Sequence, residues 1–497
     1  MAPRIIQNTC PGWRHEAPKT HAPDDATKHP KHTHHSPMKT LYAARYLLDD
    51  SQPTAAWIEN GHLAVDDAKI LGVFGPEAPQ QPEFNDFTRV DLGNVAVVPG
   101  LVNAHSHAFQ RGIRGKTEYL VPGREAEDFW TWRQAMYAAA LGYEADKVQQ
   151  VSKLAFMEMA LSGISTVGEF HYLHHQPDGQ PYADPNELAN RVIAAAKEVG
   201  IRIALLRVGY NRAGFGRAAE DEQRRFVEDD VDTYLARLGD LRTRWQDDPL
   251  VTVGLAPHSI RAVPENWLRA MGEYAAAEDL ALHIHACEQR REIDESLAEY
   301  GRAPIAALAE MGLLSERLSI VHGTHLADAE YDLLADARPS IVACPTTERN
   351  LGDGFLPAKK LVERGVPICL GSDSHTNIDL WEEMRLVEYH ERLRYEKRNV
   401  LASAKTPRTA DVLWPMGAQN GARALRIPAG TFAPGNHADF VAVDLEHITL
   451  LGSDADSLLP NMILSMTPGA VRDVFVGGEK IVEGGRLTRL PSRGKTI

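Results

Sequence analysis

Cysteine is scarce: four residues in 497, namely Cys10, Cys287, Cys344 and Cys369. They are widely separated and three sit inside apolar runs, which excludes a disulfide framework and a CxxC zinc site. A reducing compartment, and so the cytoplasm, is the expected location. Long apolar runs are missing as well. No stretch approaches the roughly 18 to 20 residues needed to span a bilayer, and residues 1–40 lack the apolar centre of a secretory signal. Positive charge is in the minority, with 53 Lys and Arg against 68 Asp and Glu, a net charge of −15. Such a surface repels phosphate backbones and anionic membranes, so neither nucleic acid nor membrane is expected as a partner. A chain this acidic can bind an anion only by concentrating arginines locally.

What is present is an ordinary globular composition, 43% hydrophobic and 24% charged. At 497 residues the chain exceeds one usual core, so a large barrel with a smaller appended domain is the expectation. Residues 1–37 are rich in Pro, His, Lys and Thr without apolar periodicity and read as a disordered extension. Short β-rich pieces fill residues 38–96 and return over 430–497, which predicts a small β-sandwich domain assembled from both ends. Between them, over 97–429, apolar runs alternate with helix-like stretches such as "PNELANRVIAAAKEVG". The runs are "VAVVPGLVNAHSH", "ISTVGEFHYLH", "RIALLRVGY", "VTVGLAPHS", "LALHIHACE", "LSIVHGTHL", "SIVACPTTE" and "VPICLGSDSH", eight in all. Eight βα repeats predict a (β/α)8 barrel, and the polar residues gather at the C-terminal end of each run, where such barrels carry their active sites.

His105 and His107 stand two apart at the end of the first run, so both rings project from one face and can share a cation. Alone, such a pair is as well explained by two surface or core histidines. The fifth run adds His283, His285 and, three residues on, Glu288; the sixth adds His322 and the eighth Asp373. Histidines and a carboxylate from separate strand ends make a nitrogen and oxygen donor set suited to Zn2+, with Fe2+ as the other candidate, and leave a position open for water. Cys287 reads as a small buried residue, and Glu169 as either a structural carboxylate or the partner of a histidine.

HxH after the first strand, HxxE after the fifth, His after the sixth and Asp after the eighth resemble the deaminase branch of the amidohydrolase superfamily, over about residues 38–490. The resemblance implies that His105, His107, His285 and Asp373 bind one divalent metal ion and that Glu288, His322 and Asp373 handle protons and the intermediate. The bridging lysine of two-metal relatives is absent, for the fourth run ends in "GLAPHS" with His258. Within that branch, "HSHAFQRG", "FWTWRQAMY", "VGEFHYLHH", "APHSIRAV", "HIHACEQ" and "CPTTERNLGDG" resemble the formimidoylglutamate deiminase family. That likeness implies hydrolysis of N-formimidoyl-L-glutamate to N-formyl-L-glutamate and ammonia, with substrate contacts at Gln110, Arg133, Tyr172, His258 and Arg261.

Such a substrate is a small dianionic amidine, and a guanidinium binds carboxylate through paired charge-assisted hydrogen bonds, which suits Arg133 and Arg261. Without the resemblance, each could equally be an interdomain salt bridge, and Trp130 and Trp132 read as packing residues. The longer loop at 116–128 departs from the pattern. Two other functions compete: an aminohydrolase for a nucleobase or another amidine, and an inactive barrel scaffold. A homodimer is common for barrels of this size but is not required by anything in the sequence.

Overall fold

The computed structural model describes residues 39–52 and 54–489. The predicted disordered extension at 1–37, with Cys10, lies outside them. Eight strands form one parallel sheet in sequence order: β1 Leu101–Ser106, β2 Ile164–His171, β3 Arg202–Gly209, β4 Val251–Pro257, β5 Leu282–Ala286, β6 Leu318–His322, β7 Ser340–Ala343 and β8 Ile368–Leu370. A parallel bridge between Ser106 and Asp373 brings β8 back to β1, so the sheet curls into the predicted barrel. Every residue of β2 and β3 is buried, as expected for strands enclosed by side chains within and helices without.

The helices follow the predicted periodicity. Glu187–Val199 buries Leu188, Val192, Ile193, Ala196 and Val199 along one stripe and stops at Gly200, whose φ of 94° closes the last turn. Ala145–Leu161 covers β2 and packs against that helix.

The chain ends build two further sheets. One has four strands, Thr40–Ala43, His62–Asp66, Lys69–Phe74 and Thr88–Asp91. The other has seven and joins the two ends directly: Val95–Pro99 pairs antiparallel with Phe440–Asp444, Val97 opposite Ala442. Leu47, Leu63, Val65, Ile70, Val97, Phe440 and Phe475 form one buried cluster between them, and Phe440 stacks on Phe475 at 4.2 Å.

One ion pair ties this layer to the barrel. Arg202, first in β3, donates Nε to Asp439 Oδ2 at 2.9 Å and Nη2 to Oδ1 at 3.1 Å, with both side chains buried. The amide of Gly477 also donates to Oδ1, and that of Gly100 to the Asp439 carbonyl. Removing one partner strands the other charge in a dry interior, so Asp439→Ala is expected to lower unfolding stability by about 3–5 kcal/mol. Denaturant titration checks this, and a loss below about 1 kcal/mol would mean that Arg202 reaches water instead.

Candidate metal centre and its cavity

The polar ends of the strands converge at one mouth of the barrel. The Nε2 atoms of His105 and His107 lie 3.2 Å apart, and those of His105 and His285 3.1 Å apart. Asp373 Oδ1 stands 3.5 Å from His105 Nε2 and 3.4 Å from His107 Nε2. Donors each about 2.1 Å from a common tetrahedral ion are about 3.4 Å apart, so these spacings match a ligand sphere. His107 Nδ1 lies 3.0 Å from the Phe170 carbonyl and His285 Nδ1 2.8 Å from that of His258. Donating Nδ1–H there leaves the Nε2 lone pairs facing inward. Burial pushes the pKa of all three rings down, and neighbouring rings add to this for His105 and His285, so they are neutral, as metal binding requires. His105, His107 and His285 therefore form a metal-binding site of nitrogen donors.

His322 Nε2 lies 3.5 Å from Glu288 Oε1 and 3.8 Å from Asp373 Oδ2, and its Nδ1 lies 3.4 Å from Glu348 Oε1. Burial disfavours its cation, but Glu288, Glu348 and Asp373 outweigh that and hold the ring up at about 10. Burial raises the Glu288 carboxyl above its usual range. Cys287, His322 and Asp373 carry φ of 59°, 77° and 44°; left-handed backbone at three strand ends around the cavity is strain held by the surrounding fold. Gly371 serves the same closure by close approach: a Cβ there would meet His105 Cβ at 2.7 Å and the His105 carbonyl oxygen at 2.9 Å.

A cavity of about 50 Å³ sits over this centre. Gln110, Arg133, Tyr172, His258 and Arg261 all line it, together with His107, His285, Glu288, His322 and Asp373; His105 is completely buried beneath. Gln110 Nε2 donates to Tyr172 Oη at 2.8 Å, which fixes the hydroxyl at the wall, while Gln110 Oε1 has no partner. Arg133 lies on the second turn of the helix Phe129–Gly142, whose start is capped by the Asp128 side chain. Its Nη2 donates to Tyr210 Oη at 3.2 Å. Arg261 is buried, its Nη1 has no partner, and burial pulls its pKa down. Neither arginine forms an ion pair with a carboxylate among the described residues.

Several contributors lie beyond the expected set. Trp132 lines the cavity beside Phe129, Met136 and Leu351, so it walls the site as well as packing. Tyr210 ends the third run and could have been found by the rule that picked the other strand ends. Glu348 ends the seventh run and the same rule reaches it, although the structure places it inside a helix of seven residues. Glu169 resolves as structural: it accepts from Ser106 Oγ at 2.5 Å and from the Ala108 amide at 2.8 Å, and burial pushes its carboxyl up to about 8. Cys287 is fully buried, with its thiol pushed up by burial.

With the geometry in place, comparison with known proteins defines the class. The amidohydrolase family model matches residues 96–481, and the chain belongs to that family. It is similar to the formimidoylglutamate deiminase of Pseudomonas aeruginosa, 36% identical over 90% of this chain and 96% of that one. Among solved structures it resembles an amidohydrolase from Brucella melitensis, with a TM-score of 0.80 and 34% identity over 90% and 96% of the two chains. It also resembles a zinc-bound adenosine deaminase from Xanthomonas campestris, with a TM-score of 0.75 and 26% identity over 91% and 95%. No helix among the described residues is long and apolar enough to cross a membrane.

Because the three rings act together, losing one should empty the site. The double variant His105→Ala/His107→Ala is expected to purify with less than about a tenth of the wild-type metal per chain, measured by elemental analysis after zinc supplementation. Wild-type metal content in that variant would move the metal elsewhere.

Proposed function

We propose that the protein hydrolyses N-formimidoyl-L-glutamate to N-formyl-L-glutamate and ammonia, using one divalent metal ion, preferably Zn2+, held by His105, His107, His285 and Asp373. The observation that carries this reading is the pair of arginines in the cavity wall. A buried guanidinium with unmet hydrogen-bonding capacity favours an anionic ligand, and Arg261, with an unpartnered Nη1, no direct ion pair among the described residues and only a partial offset from the field of Glu292, is in that condition, with Arg133 beside it. The cavity thus offers an anion two guanidiniums beside a metal centre, a combination that suits a dianionic amidine. The likeness to a formimidoylglutamate deiminase at 36% identity supports the same choice.

Arg133 and Arg261 would each grip a substrate carboxylate through paired hydrogen bonds, with Tyr172, Gln110 and His258 completing the carboxylates' shells. The amidine would then lie toward Glu288. A cation bound at the imidazoles supplies the polarisation that makes water acidic enough to react near neutral pH. Oxygen from water adds to the formimidoyl carbon, its proton passing to an Asp373 oxygen. Glu288, whose raised pKa lets it hold a proton, delivers one to the terminal nitrogen. The carbon–nitrogen bond breaks, ammonia leaves, and the remaining hydroxyl gives its proton to the Glu288 carboxylate as the N-formyl carbonyl forms. His322, held between Glu288 and Glu348, would donate Nε2–H to the oxygen as charge develops on it.

A nucleobase or nucleoside aminohydrolase is the second reading, supported by the likeness to an adenosine deaminase. It leaves both arginines without a task. An inactive scaffold is disfavoured by the complete donor set.

Ammonia release from formimidoylglutamate, adenosine, guanine and cytosine by the zinc-loaded protein decides among these. Turnover of formimidoylglutamate alone is expected, and its absence defeats the assignment. Arg261→Met should lower kcat/KM on it about 10- to 100-fold, mainly through KM, the loss expected for one charge-assisted pair.

A further inference from the structure

The helix Phe129–Gly142 is a wall with a cavity on each side. Phe129, Trp132, Arg133 and Met136 face the metal-bearing cavity. Trp130, Arg133, Gln134 and Tyr137 face a second one, of about 160 Å³, whose far side is made by Arg217, Gln223 and Arg291. These are the two overlapping i, i+3, i+4, i+7 stripes of one helix, and Arg133 lies on the seam between them.

Three guanidiniums converge on Trp130: the centre of Arg291 lies 4.5 Å from the indole ring, that of Arg133 5.6 Å and that of Arg261 5.8 Å. The indole face gathers like charges that would otherwise repel. Exposure falls along the series. The side chains of Arg217 and Arg291 are 48% and 50% exposed, whereas Arg261 is 5% exposed, with an unpartnered Nη1. Local carboxylates leave this charge incompletely satisfied. Glu220 stands 3.8 Å from Arg217, and Glu295 takes Arg291 Nε at 2.7 Å, leaving the terminal nitrogens of Arg291 free to meet a ligand.

A third cavity, of about 400 Å³, also borders the metal-bearing cavity, sharing Trp132 and Leu351 with it. It is lined by Lys116 and Arg124 against Glu118, Glu127 and Asp128. For a dianion approaching a protein of net charge −15, the arginine-lined side is the attractive one.

We propose that the cavity bounded by Trp130, Arg133, Arg217 and Arg291 is an outer capture site for dicarboxylates, which pass from it along Arg133 into the metal-bearing cavity. The proposal builds on the dianionic substrate read above but concerns residues that lie outside that site. Arg217 and Arg291 act by holding a carboxylate before it reaches Arg261.

The test uses glutarate, an unreactive dicarboxylate, titrated calorimetrically into the zinc-loaded full chain. Replacing both exposed arginines, Arg217→Gln/Arg291→Gln, is expected to weaken glutarate binding about tenfold at low ionic strength, from a few-fold per exposed charge. The difference should largely vanish in about 0.5 M salt, where screening acts within about 5 Å. The control Lys116→Gln/Arg124→Gln removes the same charge from the other rim and should bind as the wild type does. Wild-type affinity in the arginine variant at low salt, equal weakening in the control, or no glutarate binding to the wild type would each overturn the capture site. Because glutarate binding needs no turnover, a protein inactive on formimidoylglutamate that still shows the arginine difference would defeat the substrate assignment and leave the capture site standing.

Discussion

The barrel closes through the backbone of the residues that carry its chemistry. The Asp373 amide donates to the His105 carbonyl at 3.1 Å, and the His107 amide donates to the Asp373 carbonyl at 3.1 Å. These two bonds zip the last strand to the first, and they also set the heights of His105, His107 and Asp373 at the mouth. Sheet closure and assembly of the donor set are therefore one event. The tightness of that seam explains why position 371 has no side chain, since a methyl group there would push on His105 and open the barrel. Asn103 reinforces the seam, donating to Ser372 Oγ at 2.7 Å and accepting from the Ser372 amide at 3.0 Å.

From this seam the electrostatics of the cavity follow. Three imidazoles buried together cannot all be protonated, so the centre offers lone pairs and attracts a cation. The same cavity is lined by the Arg133 and Arg261 guanidiniums, which cannot lose their charge under ordinary conditions. The lining thus combines lone pairs that seek a metal ion with fixed positive charge. Glu288, Glu348 and Asp373 surround His322 and favour its protonated ring.

Much of this was legible in the sequence because its signal is local. A strand that ends in a barrel mouth announces itself by an apolar run followed by ionisable residues, and His105, His107, His285, Glu288, His322 and Asp373 all obey that pattern. The eight runs and the recurrence of β-rich pieces at both ends gave the architecture for the same reason. Residues supplied by excursions between strands left no periodic trace. Arg133 comes from a helix inserted after the first strand, and only its resemblance to a known family singled it out. Trp130 was read as packing because sequence cannot show that three arginines from separate segments meet over its ring. Glu348 closes the seventh run, yet the run does not show that its carboxylate turns toward His322, which depends on the short helix that follows the strand.

The surroundings of His322 set it apart from the three histidines whose Nε2 atoms converge on the metal-binding site. His322 stacks on His285 with ring centroids 5.5 Å apart, so it shares the same layer. Its Nδ1 faces the Glu348 carboxylate and its Nε2 faces Glu288. Glu348 is itself fixed, accepting from the Cys344 amide at 2.9 Å. Acids on opposite edges favour a proton on the ring, Glu288 only while it is itself ionised, so His322 and Glu288 compete for one proton. By contrast, the rings of His107 and His285 face backbone carbonyls through Nδ1, a neutral acceptor that orients the ring without charging it. The partner on Nδ1 thus differs among these rings: a carbonyl for His107 and His285, none among the described residues for His105 and a carboxylate for His322.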